Sequence, residues 1–186
     1  PGPWLKGVQV SKGAGTVVNG SEGLAGQINV DLVDPQDGPR LFVNGYANHR
    51  SRYELNLITN KKFTEKWSAG TLIHANQDQH HQDKNADNFL DAPQKKQLNI
   101  MQRFHYYALK WEGQVNVHGI LDQRNGGQMK HPSPDHTENL LSYDHNQKRL
   151  EIFGNIGFIG FKDPGRSIGF QWHLQRHDYD ATYARI

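Results

Sequence analysis

From Arg40 onward the chain breaks into segments in which apolar and polar residues alternate at period two, and this limits the fold more than any other feature. Only a β-strand sends residues i, i+2 and i+4 to one side. The clearest segment sets Ile168, Phe170, Trp172 and Leu174 against Gly169, Gln171, His173 and Gln175. A second sets Leu150, Ile152, Gly154, Ile156 and Phe158 against Arg149, Glu151, Phe153, Asn155 and Gly157. Weaker cases are Leu41, Val43, Gly45 and Ala47; Tyr53, Leu55, Leu57 and Thr59; and Trp67, Ala69, Thr71 and Ile73. Two more follow: Leu98, Ile100, Phe104 and Tyr106, interrupted by Gln102, and Val115, Val117, Gly119 and Leu121. About seven strands result, each near the ~9–11 residues that cross a bilayer at a tilt.

At 186 residues the chain has the length of one domain, yet mean hydropathy is −0.82 and only 35% of residues are hydrophobic. A barrel whose strands alternate apolar with polar gives such an average while remaining a membrane protein. No run approaches the ~18 apolar residues of a spanning helix, which excludes a helical membrane protein and says nothing against a β-barrel. A net charge of +2 with scattered Lys and Arg implies no nucleic-acid partner. The absence of Cys removes disulfides, thiolate metal sites and Cys nucleophiles. The chain starts at Pro1, close to its first strand, and reads as an internal fragment with any targeting segment upstream.

The connectors alternate as well. Thr64–Lys66, Glu112-Gly113 and Lys162–Arg166 read as short joints, whereas Asn76–Lys96 and Gln123–Gln147 read as long polar loops. Short turns on one side and long loops on the other suit an outer-membrane barrel. The short Arg50-Ser51 joint on the long-loop side is an exception. Phe63, Trp67, Trp111, Phe158 and Phe161 border the short joints, where a barrel places its interfacial aromatics and a soluble sandwich its core ones.

The first third of the chain reads V-Q-V-S-K-G (Val8–Gly13), then N-G-S (Asn19–Ser21), then G-Q-I-N-V-D-L (Gly26–Leu32). This order resembles the end of the plug domain of TonB-dependent outer-membrane receptors, with Lys12, Gly13, Gly20, Ser21, Gly26, Ile28 and Asn29 carrying the motif. Gln27 stands where that family usually has a second Gly. Asn44-Gly45-Tyr46, Lys66-Trp67-Ser68, Trp111-Glu112-Gly113-Gln114 and Ser167-Ile168-Gly169 are similar to receptors of Bacteroidetes-type bacteria, so the resemblance spans the chain.

The resemblance implies an all-β chain in which residues 1–34 are the C-terminal part of a plug, 35–39 a linker and 40–186 the N-terminal part of a transmembrane β-barrel. The family barrel has about 22 antiparallel strands, of which this chain would hold roughly seven. It further implies location in the outer membrane of a Gram-negative bacterium, in contact with outer-membrane lipid. The implied function is active transport of a scarce extracellular small ligand (a siderophore, metal complex or other nutrient) energised by the TonB-ExbB-ExbD complex. It implies no catalysis, no required cofactor and no nucleic acid.

The residues support a plug by their own chemistry. Gly13, Gly15, Gly20, Gly23 and Gly26 let the backbone turn repeatedly, and Val8, Val10, Ile28, Val30 and Leu32 are expected to pair in a small buried sheet. Asp34–Pro39 then ends strand pairing.

Two constellations suggest chemistry. Asp83, Asn85, Asp87 and Asp91 offer oxygens at the spacing of a Ca²⁺ loop; Asn88 sits at a position needing a left-handed backbone, and Gln94 replaces the acidic twelfth residue. The alternative is a solvated, turn-rich loop. Of the eleven His, six (His74, His80, His81, His131, His136 and His145) fall on or near the long loops without the spacing of an ordered metal motif. No Ser occupies a G-x-S-x-G turn, which leaves catalysis without support. Glu54, Asn56, Asn60, Arg149, Glu151, Asn155, Gln171, His173 and Gln175 fall on the polar side of their strands and would face a barrel lumen, or water in a soluble sandwich. The rival reading of the whole is a soluble all-β calcium-dependent carbohydrate-binding module using the Asp-rich loop.

Overall fold

The computed structural model describes residues 1–13, 26–129, 141–163 and 165–185, and these are all-β apart from a single 3-10 turn at Gly2–Trp4. Strands β1 (Leu5–Lys12) and β2 (Gly26–Leu32) form an antiparallel pair. Strands β3 (Leu41–Ala47), β4 (Arg52–Lys62), β5 (Trp67–Asp78), β6 (Gln94–Tyr107), β7 (Trp111–Gly127), β8 (Leu141–Phe158) and β9 (Ile168–Arg185) form one seven-stranded antiparallel sheet in sequence order. None of the described helical turns is long and apolar enough to cross a membrane.

The seven alternating segments become β3 to β9, and their apolar residues meet across every strand boundary. Leu57 pairs with Ile73 and Ile73 with Ile100; Phe104 pairs with Val115, Val117 with Ile152, and Ile152 with Leu174. Because side chains alternate sides at period two, an unshifted register keeps all of them on one face. That face is open: Leu41 is 63% exposed, Phe170 64% and Leu174 68%. Gln102, the polar interruption in β6, lies opposite Thr71, whose hydroxyl donates to its side-chain oxygen at 2.6 Å. The two polar groups thus satisfy each other within the apolar face. Gly154 on β8 leaves room for the Trp172 ring of β9, which would lie 2.6 Å from an added Cβ.

Aromatic pairs gather where the short turns lie. Trp67 meets Tyr106 with ring centroids 4.7 Å apart, Trp111 meets Phe158 at 4.7 Å, and Phe158 meets Phe161 edge-on at 5.0 Å. The first short turn, 63–66, is closed by the Thr64 hydroxyl oxygen, which accepts from the backbone N–H groups of Lys66 and Trp67.

Three connectors differ from the sequence expectation. Glu112 and Gly113 are not a joint but ladder residues of β7, paired with Tyr107 and Tyr106; the turn is Ala108-Leu109-Lys110. Both long loops are also shorter than Asn76–Lys96 and Gln123–Gln147, since β5 runs to Asp78, β6 starts at Gln94, β7 runs to Gly127 and β8 starts at Leu141. The hydrogen-bonded ladder continues beyond the last apolar residue, and hydrophobic alternation cannot signal that extension. The β5–β6 loop adds its own pairing to the end of β7, with Leu90 N–H donating to the Gly127 carbonyl at 3.0 Å and Met129 N–H to the Asn88 carbonyl at 2.7 Å.

The β1–β2 pair brings Val8 opposite Val30 and Val10 opposite Ile28, as their strand propensity suggests. It is not buried, however: Val10 and Ile28 are exposed. Gly13 (φ +92°) and Gly26 (φ +147°) hold backbone conformations closed to other residues. Lys12 pairs with Gly26, and Asn29 donates to the Asp31 carboxylate at 3.4 Å. The motif residues Gly20 and Ser21, with Gly15 and Gly23, lie outside the described residues, as do His131 and His136.

Gly154→Val should strain the sheet, because its Cβ would lie 2.3 Å from the Gln114 carbonyl oxygen as well as against Trp172. A loss of about 1–3 kcal/mol is expected, read as a lower urea midpoint of the protein, with Gly119→Val nearly silent because open space surrounds that position.

Candidate functional site

The opposite face of the sheet is polar, and the N-terminal segment sits on it. Asn56, Asn60, His74, Asn99, Arg103 and Asn116 are buried there, although none belongs to a conventional core. The nine polar residues assigned to one side from the sequence all share this face by register: Glu54, Asn56, Asn60, Arg149, Glu151, Asn155, Gln171, His173 and Gln175. Amid them Ile58, Leu72 and Met101 form a small apolar seat, on which Trp4, Leu32 and Val33 pack.

Arg103 ties the segment down. Its side chain donates to the Asn116 side-chain oxygen at 3.1 Å, to the Gln114 side-chain oxygen at 3.4 Å and, closest of all, to the Val33 backbone carbonyl. Hydrogen bonds from a charged donor are the strong ones, and here they link the connector after β2 to the middle of the wall. His105 lies 3.5 Å from the Asp34 carboxylate, and Asn60 donates to the Pro39 carbonyl at 2.8 Å. The Pro35 ring lies over Gly70, 3.2 Å from where a Cβ would stand. A cavity of about 830 Å³ remains between β2 and the wall, bordered by Asp31, Asp34, Arg103, His105 and Asn155.

Elsewhere on the wall Glu151 is a hub. Arg149 approaches it at 2.9 Å, His118 at 3.1 Å and His173 at 3.1 Å, so three strands share one carboxylate. Nearer the long loops Tyr143, His145, Tyr179 and Tyr183 form a ring cluster with centroids 4.9–6.2 Å apart. Among the described residues neither buried His145 ring nitrogen has a hydrogen-bond partner, and Arg124 approaches Asp122 at 2.8 Å. The wall thus presents Asn, Gln, His and Arg groups suited to binding a polar ligand by hydrogen bonds.

The Asp-rich loop is organised by its own backbone. Asp83 accepts from the N–H groups of Asp87 and Asn88, Asp87 from Phe89 N–H at 2.8 Å, and Asp91 from Lys84 N–H at 3.1 Å; Asn85 donates to Asp87 at 2.9 Å. Asn88 takes the left-handed conformation expected of it, φ +65°, and Ala86 does so too at +58°. Among the described residues no group of three or more His, Asp or Glu is arranged to hold a metal ion. Of the loop-associated His, His74 and His145 lie instead within β5 and β8 on the buried polar face.

Sequence reasoning missed Trp4, Arg103 and the Ile58–Leu72–Met101 seat. A signal existed: each of these three apolar residues breaks the alternation on the polar side of its strand, at positions paired with one another.

Arg103→Met should release the connector, since the Val33 carbonyl, Asn116 and Gln114 all lose a charged donor. Roughly 2–3 kcal/mol of docking is expected to go. Trypsin cleavage at Lys6 and Lys12 of the folded protein should accelerate, whereas Arg166→Gln, exposed in the β8–β9 turn, should leave it unchanged.

No protein-family model, curated protein or solved structure matches the chain.

Proposed function

We propose that this chain is the plug-to-barrel portion of a TonB-dependent transporter that carries a scarce extracellular ligand across the outer membrane. The observation that supports this reading is the inversion of the sheet: its polar face is covered over β4 to β6 by Trp4, Val33 and Pro35, while its apolar face is left open. An antiparallel sheet in water does the opposite, placing its apolar face on the core and its polar face in solvent. A contiguous apolar surface across seven strands calls for a non-aqueous neighbour.

The dimensions agree. Leu150 to Phe158 on β8 is eight steps of ~3.3 Å. At a tilt of ~40° these cover about 20 Å of height, near the apolar band of about 25 Å in such barrels. Lys148 and Asn146 on β8 and Arg176 and Asp178 on β9 follow on the same face and end the band. In this reading the β1–β2 pair is the last part of the plug, Arg103 and His105 join plug to wall, and the polar wall with its cavity borders the ligand's route. The ligand is gathered by the long-loop end of the sheet, and the plug rearranges when the TonB complex pulls.

Phe170→Arg should impair barrel assembly by ~2–4 kcal/mol where Gln171→Arg is far milder, because they face lipid and lumen respectively. Heat-resistant mobility on gels reads the difference, and equal tolerance would contradict a lipid-facing strand. An epitope inserted after Asp83 should be reached by antibody on intact cells, and one after Lys110 should not. Equal labelling at both positions would contradict the topology.

A further inference from the structure

Between the docking seat and the long loops, the register sets one row of planar polar side chains across the polar face. Asn76, Gln97, Asp122 and Gln147 are successive partners on β5, β6, β7 and β8, and the row ends on Tyr179 of β9. Four strand spacings make it about 19 Å long. An amide or carboxylate holds its donors and acceptors in one plane, which lets it meet two neighbouring hydroxyls at once. Part of this capacity is unused. Asn76 Oδ1 and Asp122 Oδ1 are buried without a hydrogen-bond partner among the described residues, as are both ring nitrogens of His145, which is 7% exposed in the adjoining row. Buried polar atoms left unpaired are costly, so a solute that pairs them is favoured.

Two further properties narrow the solute. At the β9 end the rings of Tyr143, Tyr179 and Tyr183 surround His145, and Tyr179 and Tyr183 are 57% and 74% exposed, so aromatic faces lie uncovered beside the polar row. Charge along the row cancels. Arg124 lies 2.8 Å from Asp122, Arg52 lies 3.4 Å from Glu54, and Lys95 is the direct register partner of Asp78. Deeper on the same face Arg149 meets Glu151 at 2.9 Å. In the flanking loops Arg50 and Lys84 stand with Asp83, Asp87 and Asp91. The described residues therefore give the row no cationic surplus with which to attract an anionic metal chelate.

We infer that this row is a ligand subsite that selects an extended, uncharged, hydroxyl-rich solute, an oligosaccharide, with sugar faces on the tyrosines and hydroxyls on Asn76, Asp122 and His145. A hydroxyl both donates and accepts, which is what a neutral imidazole with two free nitrogens requires. The length of the row suits a chain of sugar rings better than a compact chelate. The inference rests on the transporter reading and names the substrate class of its polar wall.

The test measures binding to the protein in neutral detergent, with uncharged gluco-, manno- and xylo-oligosaccharides and ferric hydroxamate and catecholate chelates as probes. One oligosaccharide series should bind, more tightly as its chain lengthens and with little dependence on salt. Tyr179→Ala should weaken that binding about two- to tenfold, the worth of one ring contact, while Tyr179→Phe retains it. His145→Phe, which keeps a ring and removes both nitrogens, should weaken it by a similar factor. Heat-resistant mobility on gels, read on the same samples, reports on the barrel separately. A heat-resistant protein that binds the chelates and no oligosaccharide, that binds none of the probes, or whose oligosaccharide binding is indifferent to Tyr179→Ala and His145→Phe, would overturn the subsite and leave the barrel reading standing. Wild type without heat-resistant mobility would overturn both.

Discussion

Everything in this structure depends on one uninterrupted backbone ladder. Strands β3 to β9 pair with their sequence neighbours without a register shift, so period-two alternation in each becomes a two-faced surface across all seven. A slip of one residue in any strand would turn its Leu, Ile and Phe side chains to the polar side. The pairing therefore sorts polar from apolar residues before any tertiary contact is made. The few exceptions have local reasons: Gln102 is met by Thr71, and Gly154 gives way to Trp172.

The polar face then determines where the N-terminal segment can dock. Ile58, Leu72 and Met101 form the only fully apolar seat among the buried described residues of that wall, and Trp4 takes it. Around it, directional contacts replace apolar area: Arg103 to Val33, Asn60 to Pro39, His105 to Asp34. Contacts of this kind fix position while burying little surface. The Glu151 hub lies on the same wall beside the seat, where the His118 ring meets Trp4 edge-on with centroids 6.0 Å apart, and the Tyr143–His145 cluster lies nearer the ends of β8 and β9.

The sheet was legible in the sequence because apolar alternation is a direct record of which side each residue faces. All seven apolar stripes and the nine polar residues opposite them fall on the faces where alternation puts them. Strand ends were not legible. Beyond Leu121 on β7, and between Tyr143 and Leu150 on β8, both sides are polar, so Gln123–Gly127 and Leu141–Gln147 read as loop although they are paired backbone. Glu112-Gly113 looked like a turn because Gly and a charge commonly end strands, yet Trp111 already opens the ladder. The docking seat was hidden for another reason: three apolar residues on the wrong side of their strands look like noise until the register sets them side by side.

The central claim is that the apolar face meets lipid and the polar face does not, and the tryptophans report on it directly. Trp172 lies on the apolar face of β9, and Trp4 is buried under the polar wall. Single-tryptophan versions of the full-length protein, reconstituted in vesicles with bromine on the acyl chains, allow quenching of each to be measured separately. Strong quenching of Trp172 with Trp4 untouched is the result expected. Absence of Trp172 quenching, or equal quenching of both, would contradict the account.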